Sequence, residues 1–181
     1  EGCFQSEKYF QDCREQVREA YRFRGIESGA YPLPEAYRRL EKEIADCPSV
    51  SVHIRRGDYL EESHGGIYTG ICTEQYYQEA FARMEKEVPG AKFFLFSNDP
   101  DWTREHFKGE NRILVEGSTE DTGYLDLYLM SKCKHNIIAN SSFSWWGAWL
   151  NDNPEKKVTA PARWLNGREC RDIYTERMIR I

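Results

Sequence analysis

The sequence predicts an α/β fold, a doubly wound and mostly parallel sheet, and three observations carry that prediction. Apolar, β-branched runs of strand length alternate with stretches of helical periodicity. The connections between them are short, as βαβ crossovers require. Clusters of charged and small polar residues fall straight after several of the strand-like runs, where an open α/β sheet gathers its ligands.

Taken in order, Tyr9, Phe10, Cys13, Val17 and Tyr21 recur at three- and four-residue steps between Glu7 and Phe23, which predicts one amphipathic helix. Turn formers in "GIESGAYPLP" interrupt it. "PEAYRRLEKEIADC" resumes helical spacing, with Pro34 suited to a first turn. "SVSVHI" reads as a buried strand, and a glycine-bearing loop from Gly57 to about Gly70 follows it. "TEQYYQEAFARMEKEV" is a helix with Thr73 at its N-cap. "AKFFLFS" and "RILVEG" are strands separated by a short helix or turn in "PDWTREHFK". "TGYLDLYLMSKC" is a helix, "HNIIAN" a strand, "SFSWWGAWLN" a helix and "KVTAP" a last strand.

Composition narrows the function. The chain has 181 residues, a net charge of −5 and 40% hydrophobic residues, which suits one globular domain and opposes a general nucleic-acid or membrane-surface binder. No apolar run is long enough to span a bilayer. Six scattered cysteines form no CxxC pair, so buried thiols in a reducing compartment are expected, and zinc ligation has no spacing to support it. The chain opens on Glu1, which suggests a processed or truncated form with targeting information lost. The expected setting is a bacterial-type cytoplasm, with membrane association left open.

Three polar clusters sit at predicted strand ends: "HIRRGD", "FSNDPD" and "ANSSFSWW". Arg55 and Arg56 are adjacent, so an extended backbone points them to opposite faces; one can enter a cleft while the other pairs with a carboxylate such as Asp58. A guanidinium stays charged and forks onto phosphate oxygens. An ordinary surface ion pair is the plain alternative, and an Arg-Gly-Asp adhesion signal at Arg56-Gly57-Asp58 suits a mobile loop tip better than the end of a core strand. Ser141 or Ser142 caps a helix whose free N–H groups and dipole make a ready phosphate site, while Trp145, Trp146 and Trp149 read as core. Asp126 stands in an otherwise apolar helix, where a carboxylate requires either a backbone or arginine partner or a ligand such as a purine edge. Asp99 and Asp101 could suggest a metal pair, but the intervening Pro100 makes a loop cap the better reading. Asn140 begins a glycosylation sequon that burial should keep unused.

"VSVHIRRGDYL" and "NIIANSSFSWWGAWLN" together resemble the signature blocks of the α-1,2-fucosyltransferases, glycosyltransferase family 11. "FQSEKYF", the Tyr76-Tyr77-Ala80 set and "FSNDPDW" resemble further segments of that family. The resemblance implies the Rossmann-like, donor-binding C-terminal half of a GT-B glycosyltransferase. Residues 1–48 would be a helical segment packing on the core, and residues 49–181 a GDP-fucose-binding domain. The family's glycine-rich "GGLGNQ"-like opening is absent from the chain, so a fragment lacking the N-terminal part is expected.

By the same resemblance the reaction moves L-fucose from GDP-fucose to the 2-hydroxyl of a galactose-terminated glycan. It inverts the anomeric centre and uses no metal and no cofactor. Arg55 should hold the β-phosphate and stabilise the leaving group, His53 and Asp126 should lie at the guanine, and Ser142 with Phe143 at the diphosphate. Ser141 shares that helix start. The catalytic base stays open among Asp58, Glu61, Glu62 and His64, or lies outside the chain. A GDP-binding or sugar-nucleotide-binding module without turnover is the alternative function.

Overall fold

A computed structural model of the chain describes residues 4–60 and 66–181, the side chains of Asp58 and Leu60 apart. Six strands form one all-parallel sheet: β1 (Ser49–Ile54), β2 (Lys92–Ser97), β3 (Arg112–Leu114), β4 (His135–Ile137), β5 (Val158–Ala160) and β6 (Met178–Arg180). Their spatial order is β3-β2-β1-β4-β5-β6. This is the doubly wound order whose direction of winding reverses between β1 and β4. The α/β expectation is met, and the sheet is parallel at every pairing.

Seven α-helices accompany it among the described residues: α1 (Arg14–Ala20), α2 (Arg24–Glu27), α3 (Glu35–Asp46), α4 (Glu74–Glu87), α5 (Pro100–His106), α6 (Gly123–Lys132) and α7 (Ser142–Leu150). Alternation along the central strands decides which face meets which helix. Phe93 and Leu95 of β2 join Val50, Val52 and Ile54 of β1 against Tyr77, Phe81 and Met84 of α4. Phe94 and Phe96 point the other way, onto Tyr37 and Ile44 of α3 and Leu125 and Leu129 of α6. Every residue of β1 is buried, so its Ser49, Ser51 and His53 lie on the α3–α6 side without water. Ser51 Oγ accepts from Asn136 Nδ2 at 2.7 Å, and Asn136 Oδ1 accepts from Asn151 Nδ2 at 2.8 Å, which satisfies the Ser51 part of that stripe.

The tryptophan-rich helix is core, as expected. Trp145, Trp146 and Trp149 pack with Phe10, Val158, Ala160 and Trp164. Burying each such ring contributes roughly 4–6 kcal/mol gross, several times what a helix cap supplies, so packing rather than capping fixes α7. Gly147 lets it approach α6: a Cβ there would meet Met130 Cε at 2.9 Å. That close pairing brings the starts of α6 and α7 together.

Two expectations need correction. The stretch from Glu7 to Phe23 is not one helix but two 3-10 turns (Glu7–Tyr9 and Gln11–Cys13) followed by α1. Phe10 is drawn into the tryptophan cluster, stacking 5.6 Å from Trp146 and meeting Trp149 edge-on at 5.1 Å, while Tyr9 stays exposed. Aromatic packing there overrides helical spacing. The last strand is β6 rather than "KVTAP", which forms β5. The five described cysteines are all free; Cys133 is buried as expected, but Cys13 is exposed. Among the described residues no helix is long and apolar enough to cross a membrane, so the membrane association left open by the sequence gains no support from a spanning helix.

Candidate functional site

A cleft of about 720 Å³ opens along the carboxyl ends of β1 and β2, beside the point where the winding reverses. His53 and Arg55 enter it from the end of β1, Asn98 from the end of β2, Glu120 from the loop before α6, Asp126 from α6 and Phe143 from α7. Four residues singled out from the sequence, His53, Arg55, Asp126 and Phe143, thus meet in one hollow. Ser141 is the N-cap of α7, in extended conformation and with no side-chain capping bond. Neither it nor Ser142 is among the described residues lining the cleft; Phe143, the second residue of the helix, brings the α7 N-terminus to the wall.

The two arginines divide as the pleat predicts, with a different partner for the second. Arg55 lines the cleft, its guanidinium 5.3 Å from the Tyr59 ring. Arg56 turns away, stacks 3.6 Å over the Trp102 ring and pairs through Nε with Asp99 Oδ2 at 3.3 Å. The carboxylate comes from the "NDPD" cluster; the side chain of Asp58 lies outside the described residues. Asp99 also caps α5, accepting from Trp102 N at 3.3 Å, which bears out the reading of that acidic run as a loop cap. Arg56 N donates to Asn98 Oδ1 at 2.8 Å, tying the end of β1 to the end of β2. Gly57 has φ +43, and a Cβ on it would lie 2.6 Å from Asn98 Nδ2. Only glycine suits that turn.

His53 is 5% exposed, and its Nδ1 is buried with no hydrogen-bond partner among the described residues. Its ring leans against Phe143, centroids 5.3 Å apart. Burial, reinforced by the charge of Arg55, pulls its pKa down to about 3, so the imidazole is neutral at any working pH and too weak a base to take a proton. The ring is therefore a neutral part of the cleft wall.

Asp126 accepts from Tyr37 Oη at 2.7 Å and from Ser118 Oγ at 2.6 Å. The partners are two hydroxyls, neither the backbone nor the arginine weighed from sequence. Burial raises the pKa of the carboxyl, and the two donors oppose that rise. Asn140 is buried, with Nδ2 donating to the Trp164 carbonyl at 3.1 Å and Oδ1 accepting from Cys72 Sγ at 3.3 Å, so the sequon is closed to a glycan as expected.

The base candidates Glu61, Glu62 and His64, and the side chain of Asp58, lie outside the described residues. Sequence reasoning missed Tyr37, Ser118 and Glu120. The last two follow the end of β3, so the rule that ligands gather at carboxyl ends could have found them. Tyr37 carried no such signal, since it stands on α3, remote in sequence.

Residues 1–176 match the sequence profile of Glycosyl transferase family 11. An alpha-1,2-colitosyltransferase of Escherichia coli is 35% identical over 187 residues, spanning 99% of this chain and 61% of that protein. The galactoside alpha-(1,2)-fucosyltransferase 1 of Saimiri boliviensis boliviensis is 26% identical over 146 residues, spanning 78% of this chain and 40% of that protein. The crystal structure of POFUT1 in its apo form aligns over 71% of this chain and 46% of that one, with a TM-score of 0.46 and 16% identity. The chain therefore spans less than two thirds of the length of these relatives.

Proposed function

The chain belongs to glycosyl transferase family 11, and from that premise we propose that it forms the donor-binding half of an enzyme moving L-fucose from GDP-fucose to the 2-hydroxyl of a galactoside. The observation that carries the reading is the convergence of His53, Arg55, Asp126 and Phe143 on one cleft from three separate elements. A cleft of about 720 Å³ is within the range that encloses a small ligand.

The chemistry follows from charge. As the bond from the sugar to the diphosphate lengthens, negative charge grows on the phosphate and positive charge on the ring. The fixed guanidinium of Arg55 stabilises the former more strongly in the transition state than in the ground state, which is what accelerates the step. The unpaired N–H groups at the start of α7 add donors from the wall on which Phe143 sits. Asp126 offers a carboxylate to the base, and neutral His53 adds a hydrogen bond without adding charge. The resemblance to family 11 supports inversion without a metal. The acceptor sugar and the base for its hydroxyl belong to the whole protein.

A second reading has its own support: 35% identity to a colitosyltransferase over nearly the whole chain favours a colitosyl donor. Colitose is the 3-deoxy counterpart of fucose, so the nucleotide half of the site would serve either.

Calorimetric titration of the chain with GDP tests the shared claim, with binding in the micromolar range expected; absence of binding at millimolar nucleotide sinks it. Incubation with a β-galactoside and each sugar nucleotide, read by mass spectrometry, separates the donors. Binding without any transfer would leave the module without turnover as the better description.

A further inference from the structure

Asp126 is an unusual buried carboxylate. It is 9% exposed, yet among the described residues no arginine, lysine or histidine pairs with it. Its two oxygens instead take one neutral hydroxyl each, Tyr37 from α3 and Ser118 from the loop after β3. A cationic partner would cancel the charge. Hydroxyl donors orient and stabilise it while leaving the cleft negative at this point. Tyr37 is the donor in its contact with Asp126, and burial together with that contact holds its phenol proton on well above the usual range. Placement in the first turn of α6 further favours the ionised form.

A carboxylate has roughly four in-plane acceptor positions. The two hydroxyls occupy one on each oxygen, and Asp126 still lines the cleft. What remains is one acceptor position per oxygen. The edge of guanine carries two adjacent donors, N1–H and the N2 amino group, at a spacing that matches. Adenine offers an acceptor at N1 and is repelled.

We propose that Tyr37 and Ser118 are positioning residues for nucleobase selection, holding Asp126 ionised and oriented so that the cleft takes a guanine nucleotide in preference to an adenine or hypoxanthine one. The proposal rests on reading the cleft as the donor-nucleotide site and adds the residues that impose its base preference. Tyr37 acts from a helix that packs on the sheet and on α6. Through it, α3 bears on the selectivity of a site built by β1, α6 and α7.

The test is calorimetry of the whole chain with GDP, IDP and ADP between pH 5 and 8. IDP lacks only the N2 amino group. Unaltered protein should prefer GDP over IDP by about tenfold, the value of one hydrogen bond to a charged group. Tyr37→Phe and Ser118→Ala should each weaken GDP by about 3- to 10-fold and narrow the GDP-to-IDP ratio towards one. Both should also shift the acid limb of GDP binding to higher pH. Removing a donor raises the carboxyl pKa, so the acceptor is lost earlier as pH falls. Among the described residues the other titratable or charged groups in the cleft are His53, Arg55 and Glu120; they are common to all the proteins compared, and His53 stays neutral across the range. Ser118→Thr should restore the ratio, and thermal melting of each variant separates lost folding from lost selectivity.

Normal ratios and an unmoved acid limb in folded Tyr37→Phe and Ser118→Ala overturn the proposal. If Asp126→Asn still abolishes the GDP preference, the reading of the cleft survives that failure. If Asp126→Asn keeps the preference, both the proposal and the assignment of Asp126 to the base fall together.

Discussion

Two hollows open at opposite edges of the sheet, and they treat charge in opposite ways. The one at the amino ends of β5 and β6, about 550 Å³ in volume, is the more basic, with Arg14, Arg18, Lys156 and Arg177 in its wall. Each of those cations is engaged by the fold. Arg14 lies 3.3 Å from Glu7. Arg18 pairs with Asp152 and donates to the Trp149 carbonyl at 2.9 Å. Lys156 Nζ donates to the carbonyls of Ala148 at 2.6 Å and Asn151 at 2.7 Å, and Arg177 to that of Pro154. Arg18 and Lys156 thereby neutralise the negative end of α7. Among the described residues the cleft at the carboxyl edge holds fewer cations, but there the His53 ring nitrogen is buried without a partner and Asp126 has two hydroxyls as its side-chain partners. Counting positive charge would choose the basic hollow. Asking which groups the fold leaves incomplete chooses the cleft.

The sharpest way to break that contrast is to remove one cation from each hollow and titrate with GDP. Arg55→Ala should weaken binding about 100-fold, near 2.7 kcal/mol, since a charge-assisted contact to phosphate is lost with no replacement. Lys156→Ala should leave the affinity within about twofold. Equal losses in the two variants would mean that general positive charge, not the cleft, attracts the nucleotide.

Lys156→Ala should register elsewhere. It leaves the carbonyls at the end of α7 without their donor, at a cost of about 1–3 kcal/mol of folding stability. Urea unfolding of Lys156→Ala should therefore register a loss that titration with GDP does not. A Lys156→Ala protein as stable as the parent would show that the basic hollow is not committed to holding α7, and would reopen it as a binding site.

How much of this was legible in the sequence differs between the same two edges. The carboxyl edge announced itself, because "HIRRGD" and "NSSF" place charge and hydroxyls directly after apolar runs that can only be buried strands. Arg55 was reachable on that logic and Asp126 as a carboxylate in an otherwise apolar helix, whereas His53 and Phe143 came through the resemblance to family 11. Tyr37 was not: it meets Asp126 across 89 residues of chain, and an amphipathic helix gives no sign of which buried tyrosine has a polar task. The amino edge was nearly silent. β6 spans three residues of mixed character, too few for periodicity to speak, and pairing with β5 creates it. The helix expected from Glu7 to Phe23 failed for a related reason, since the tryptophans that capture Phe10 lie far along the chain.

The smallest expected effect bears on what kind of incompleteness the cleft has. His53 has a pKa of about 3 in the folded chain, against roughly 6.5 when unfolded. On acidification the unfolded chain takes up the proton first, so stability is full above about pH 6.5 and falls as pH drops towards 3. The slope from this one group approaches about 1.4 kcal/mol per pH unit. His53→Gln should flatten the urea-derived stability between pH 6 and 4.5 by up to that amount. His135, also depressed by burial, titrates in the same direction in both proteins and cancels in the comparison. An unchanged slope would mean that His53 is charged in the fold and acts as a second cation beside Arg55. The steeper slope in the parent protein leaves Arg55 as the fixed charge at the end of β1, with His53 a neutral hydrogen-bonding group held dry for the ligand.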